Sequence, residues 1–233
     1  MIGITFNNKH SSDDFNLILN SKELSTPSKK KIKSGVPGMN SLYDFSTVAS
    51  GGEIVYNQRS LKYNFTLICN SKAQLHAQLS EIFQWAQDTP QSQLIDDTIK
   101  DYYFMAEIED SIVIKEKNNI AEITFNFIAE PFKTSLTLEG GDIWDTFNFE
   151  TDVFQDVAYD IVGSKTITII NTGRLISPVI NVTSPMTITI NSKTFNLVTG
   201  NNSLYGLKLL SGSNSLHVVG NGSINFIYRV VKI

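Results

Sequence analysis

The sequence predicts a mainly β (α+β) chain in two parts. Residues 1–135 form a sandwich or barrel-like sheet with one packed helix, and residues 136–233 form a smaller β-sandwich of jelly-roll or galectin-like type. Three observations predict this. The runs LKYNFTLIC (61–69) and AEITFNFIAEP (121–131) alternate with a period of two. Between them, KAQLHAQLSEIFQWAQD (72–88) spaces its apolar residues as a helix does. Beyond residue 164, short alternating runs are separated by Gly, Asn and Ser clusters, near the 8–12-residue rhythm of a sandwich.

Residues 4–6 (ITF) and 15–20 (FNLILN) read as short strands. Residues 25–57, STPSKKKIKSGVPGMNSLYDFSTVASGGEIVYN, read as long hairpin arms, with turns at Pro37-Gly38 and Gly51-Gly52. Loops of this length are uncommon within a compact domain and more often reach a neighbour or line a site.

In the first alternating strand Leu61, Tyr63, Phe65, Leu67 and Cys69 share a face, with Ile68 the exception on the other. In the second, Ile123, Phe125, Phe127 and Ala129 do so. Such faces require cover, since each large apolar side chain gains roughly 1.5–3 kcal/mol on burial. The helix supplies it through Leu75, Leu79, Ile82, Phe83 and Ala86, with Trp85 on the flank closing the core. Residues 88–101 read as irregular, 102–110 as a strand with Phe104, Ala106 and Ile108 on one face, and KEKNN (115–119) as a turn. Pro131 ends the unit.

A junction is expected over 133–151, around Gly140-Gly141. After it come seven expected strands: 165–171, 178–182, 185–192, 193–200, 205–210, 214–220 and 223–231. Asn191-Ser192 and Asn221-Gly222 are the turn signals between neighbours.

Hydrophobic content of 41% and charge of 18% fit a globular chain, and a net charge of −4 disfavours binding by phosphate neutralisation. Lys29, Lys30, Lys31 and Lys33 form one basic stretch, most simply a solvated loop. The single cysteine, Cys69, forbids an intrachain disulfide and suits folding in a reducing cytoplasm. Residues 1–12 lack the pattern of a signal peptide, and no stretch is long and apolar enough to span a membrane.

No cofactor, metal or catalytic motif is expected. His10, His76 and His217 are scattered, whereas zinc needs three or four converging donors. Glu107 and Glu109, two apart on a strand, could sit at a glycosidase-like separation, but equally form its solvated face. Asp142, Asp145, Glu150, Asp152, Asp156 and Asp160 lack the spacing of a calcium loop. The sequons at Asn64, Asn181, Asn201 and Asn221 reflect abundant asparagine. Trp144 is a packing residue or a sugar-stacking platform, and the latter carries the alternative function of a module binding host cell-wall glycans.

The GVPGMNSLYDFS loop, the LKYNFTLIC strand, the helix ending FQWAQ and the FNFIAEP strand together resemble the N-terminal domain of siphophage distal tail proteins. LKLLSGSNSLHVVGNGSINFIYRVV, with its G-x-N loop and Y-R ending, is similar to the closing strands of that family's smaller sandwich. The resemblance implies a structural, non-enzymatic virion protein made in the host cytoplasm and placed at the tail tip. It implies a hexameric ring, or tail hub, joining the tail tube protein to the tail-tip protein and to baseplate or receptor-binding proteins. DNA would pass through its channel without specific binding. Gly35, Pro37, Gly38 and Asn40 carry over as a family-like turn at a partner interface.

Overall fold

Alternating side chains built the expectation of a curled sheet, and ten-residue strands lie at its centre. The computed structural model describes residues 1–140 and 155–233. These divide into two compact units, Met1–Lys133 with Ile233, and Thr134–Lys232.

The first unit contains β1 (Ile4–Phe6), β2 (Lys9–His10), β3 (Ile18–Leu24), β4 (Lys33–Gly35), β5 (Leu42–Asp44), β6 (Arg59–Ile68), α1 (Lys72–Gln87), β7 (Ser92–Asp96), β8 (Tyr102–Glu107), β9 (Val113–Lys117) and β10 (Ile120–Ala129). β11 (Lys133–Ser135) leads into the second unit. The sheet runs β2-β1-β7-β8-β10-β6-β3, with β9 beside the first half of β10. β6 and β10 pair over their full length, from Ile120–Ile68 to Ala129–Arg59. Leu61, Tyr63, Phe65, Leu67, Ile123, Phe125 and Phe127 are fully buried, and Ile68 is turned outward, as the alternation requires.

Ser71 caps α1 by accepting from the Gln74 amide at 3.2 Å, while the Gln74 side chain reaches back to the Asn70 amide. The buried stripe is Leu75, Leu79, Ile82, Trp85 and Ala86; Phe83 is only partly buried. Trp85 closes the core as expected, and Phe83 packs against its margin. Its indole donates to the Phe6 carbonyl at 2.9 Å and its ring stacks on Phe15, so its polar edge is satisfied inside the core.

Three strand expectations for this unit are corrected. Residues 92–96, read as irregular, form β7, because Leu94 and Asp96 are both inward and the inward carboxylate masks the alternation. KEKNN is not all turn. Lys115–Lys117 extend β9, and only Asn118-Asn119 reverse the chain, since a polar edge strand carries no apolar signature. The strand near residue 15 begins later, at Ile18, with Phe15 and Leu17 buried ahead of it.

The second unit contains β12 (Ala158–Asn171), β13 (Val179–Val182), β14 (Met186–Ile190), β15 (Lys193–Leu197), β16 (Gly200–Ser203), β17 (Gly212–Ile227) and β18 (Val231–Lys232). β12 and β17 pair throughout as one long ribbon. β17 then gives its first half to β14 and its second half to β13. Ile161, Ile167, Ile169, Ile180, Ile188, Leu216, Val218, Ile224 and Phe226 fill the core. Asn191-Ser192 form the expected turn between β14 and β15, both at positive φ.

Asn221-Gly222, expected as a hairpin, lies inside β17. Asn221 pairs with Val162 and its side chain accepts from the Gly163 amide at 2.9 Å. The dipeptide sits where β17 changes partner, so its conformational freedom bends one strand instead of reversing it. Gly220 and Gly222 have φ of 152° and 129°, and an added Cβ would stand 2.6 Å from Met186 or Thr183. Gly222→Ala is expected to cost about 2–3 kcal/mol, measured by thermal denaturation.

Residues 205–210 are not a strand but a turn and a single bridge between Ile176 and Leu209. β16 replaces them in the sheet. The loops before β16 and β17 share one device. In VTGNN (198–202), Asn202 accepts from the Val198 amide and donates to the Ile180, Val198 and Gly200 carbonyls. In LSGSN (210–214), Asn214 does the same with Leu210, Ile169 and Gly212. Loss of one buried clasp leaves several backbone groups unpaired, so Asn214→Ala is expected to cost about 2–4 kcal/mol in denaturant unfolding.

Candidate interaction surface

Residues 28–57 leave the first unit between β3 and β6 as a long antiparallel arm. Its root is tied by Ser25 to Ser60, with the Ser25 amide on the Ser60 carbonyl at 3.1 Å and the Ser60 amide on Ser25 Oγ at 2.9 Å. The limbs hold together through the Lys29–Tyr56 bridge and the Lys30 amide on the Val55 carbonyl. They continue through β4 and β5, where Lys33, Ser34 and Gly35 face Asp44, Tyr43 and Leu42.

The tip is the segment expected to turn. The Met39 amide bonds to the Val36 carbonyl at 3.1 Å, and Gly38 has φ of 83°. Proline at the second position and a left-handed glycine at the third define a type II turn. Gly35, Pro37, Gly38 and Asn40 are all brought together here and are exposed.

Alternation gives the arm two different faces. Ile32 lies opposite Phe45, whose amide bonds to the Ile32 carbonyl at 2.8 Å, and Ser34 lies opposite Tyr43. Ile32, Tyr43 and Phe45 therefore share one face, with the two rings 4.7 Å apart. Lys31, Lys33 and Asp44 occupy the other. The Lys31 ammonium bonds to Asp44 at 2.8 Å; this bond, with those from Ser46, holds the Asp44 carboxyl well below the usual carboxylate range.

Ile32, Val36, Met39, Leu42, Tyr43, Phe45, Val48, Ile54 and Val55 are all exposed, from 39% for Val36 to 70% for Val48. A soluble monomer seldom presents so many large apolar side chains on one projection, and such surfaces mark interaction sites. Composition alone hid this, because Gly, Ser and Lys between the apolar residues make the stretch look like a solvated loop.

The other candidates do not converge. Glu107 ends β8 and Glu109 lies beyond it on the exposed side, with no hydrogen bond between them. His10 sits 3.1 Å from Asp97 and 3.4 Å from Asp13, His76 lies 3.7 Å from Glu116 on the helix surface, and His217 contacts Thr166. No group of three or more His, Cys, Asp or Glu among the described residues could hold a metal. Among the same residues no helix is long and apolar enough to cross a membrane. Trp144, with Asp142, Asp145, Glu150 and Asp152, lies outside the described residues.

One buried polar node escaped the sequence reading. The Asp96 carboxylate, at the end of β7, is fully enclosed and accepts from Lys22 at 2.7 Å, Tyr63 at 3.1 Å and Thr98 at 2.9 and 2.7 Å. Burial pushes its carboxyl up, but the Lys22 and Thr98 bonds outweigh this and leave it below its ordinary value. Burial and the neighbouring Asp96 push the Tyr63 phenol strongly up. Enclosed and bonded by three side chains, this carboxylate acts as an internal brace. In the second unit, Arg229 of the Y-R ending donates to the Ser135 and Leu136 carbonyls.

No protein-family model matches the sequence, and no curated protein matches it. Among solved structures, the chain is similar to the SPP1 Dit protein, described as a paradigm of the hub adsorption apparatus in phages infecting Gram-positive bacteria. The TM-score is 0.68 at 11% identity, over 98% of this chain and 99% of that one. It also aligns with the phage P2 baseplate in its calcium-activated conformation, with a TM-score of 0.39 at 8% identity over 91% of each chain. The first of these shows that the whole described chain, not one half of it, has the Dit fold.

Proposed function

We propose that this chain is a structural hub protein of a long, non-contractile phage tail, assembling as a ring of six at the distal end of the tail tube. In that place it joins the tube to the tail-tip protein and to baseplate or receptor-binding proteins, and it performs no catalysis. The observation that carries this is the arm over residues 28–57, whose apolar face is exposed among the described residues. The whole-length fold similarity to the SPP1 hub protein supports it. A closed ring requires a heterologous contact, in which a projection of one copy meets a different surface of the next. An arm fixed at its root and apolar on one face supplies the projection. The net charge of −4 suits a channel that passes DNA without gripping its phosphates.

Light scattering on the purified chain, alone and with its tube or tip partner, tests this. The expected mass is that of six copies. A chain that stays monomeric at every concentration and with every tail partner contradicts the proposal.

A further inference from the structure

The Asn221-Gly222 dipeptide, which bends β17, also carries a chemistry of its own. It is the only Asn-Gly pair in the sequence. An asparagine followed by glycine is open to intramolecular attack, because no Cβ shields the glycine nitrogen from the preceding carboxamide. The Gly222 nitrogen attacks Asn221 Cγ, the new N–C bond closes a cyclic imide, and the side-chain nitrogen leaves as ammonia with the amide proton. Water then opens the imide at either carbonyl, leaving aspartate or isoaspartate. Water is the one co-reactant, and Asn221 is exposed to it.

The fold ties this pair down from two sides. Asn221 Oδ1 accepts from the Gly163 amide of β12 at 2.9 Å, which anchors the carboxamide across the ribbon. On the other side lies the bend at Thr183 and Ser184, between β13 and β14. The Ser184 hydroxyl donates to the Asn221 carbonyl, and the Ser223 amide donates to Thr183 Oγ1 at 2.9 Å. The Thr183 amide donates in return to the Ser223 carbonyl at 3.1 Å. A Cβ at Gly222 would stand 2.6 Å from Thr183 Oγ1 and 2.8 Å from Ser184 Oγ. The backbone that must rotate for attack is thus packed directly under these hydroxyls.

We propose that Asn221 is the deamidation site of this chain and that the Thr183-Ser184 bend gates it. Conversion proceeds through openings of this part of β17, not from the closed strand. Deamidation is far slower than local opening, so its rate follows the open fraction. Isoaspartate adds a backbone carbon to β17 opposite Val162, so a converted chain does not restore the pairing with β12. None of this depends on assembly as a ring.

Peptide mapping by mass spectrometry tests this on the full chain, incubated in mildly alkaline buffer with and without guanidinium chloride. In the unfolded chain Asn221 is expected to convert first among the asparagines, and at least about tenfold faster than in the folded chain. Thr183→Val/Ser184→Ala removes both hydroxyls. It is expected to speed conversion in the folded chain about fivefold or more and to leave the unfolded rate unchanged. Circular dichroism checks that this variant is folded, and the comparison of folded with unfolded unmodified chain stands without it. The proposal is overturned if folded and unfolded chains convert Asn221 at the same rate, or if another asparagine converts first in the unfolded chain. It is equally overturned if the folded variant converts no faster than the unmodified protein.

Discussion

The double substitution Tyr43→Ser/Phe45→Ser is expected to abolish the proposed ring assembly and to leave the folded monomer intact. These side chains are 52% and 39% exposed, stack on one another on the arm, and touch none of the buried core. Removing them therefore takes nothing from the fold, and the monomer's circular dichroism and thermal midpoint stay unchanged. At an interface the same two side chains are anchors. Large aromatics in a desolvated centre commonly contribute about 2 kcal/mol or more each, so losing both weakens each contact by a factor of 10² or more. The measurement is the assembly constant by mass photometry, and unchanged assembly would remove the arm from the interface. Gly38→Val is expected to act through the tip instead, because a β-branched residue resists the left-handed conformation of that turn.

Lys22→Met is expected to destabilise the first unit by about 3 kcal/mol. It removes the cation that bonds the enclosed Asp96 carboxylate and leaves a buried charge without that counter-ion. Denaturant unfolding measures this, and a loss below about 1 kcal/mol would show that Thr98 and Tyr63 alone satisfy the carboxylate. The same node sets the pH response. Asp96 has a folded-state pKa below its unfolded one, so its contribution is present above about pH 4 and is lost as pH falls below that. Tyr63 is shifted the other way. Its neutral phenol supports the fold below about pH 10, and that support is lost as pH rises further. Stability is thus expected to fall on both the acid and the alkaline side, with the acid limb weakened in Asp96→Asn.

The sheet's centre was legible because its physics is local. β6 and β10 are buried on one face only, so alternation reports burial directly, and α1 carries a single stripe matching the sheet it covers. Elements failed where that link broke. β7 hides an inward Asp96, β9 is a polar edge, and β17 runs through the Asn221-Gly222 dipeptide that usually turns a chain. The last case is tertiary: only the exchange of β14 for β13 along one strand explains why a bend was needed there. The tip residues Gly35, Pro37, Gly38 and Asn40 were found as a turn, but the amphipathic faces of the limbs behind them depend on cross-strand pairing that no single limb reveals. The basic stretch at 29–33 and the acidic pair Glu107 and Glu109 were each visible in the sequence.

A ring hub is defined by its hole. Negative-stain electron microscopy of the purified chain, assembled alone or on its tube partner, should give class averages of an annulus with sixfold symmetry and an open centre. Averages showing isolated two-lobed particles, or stacks lacking a central opening, would contradict it.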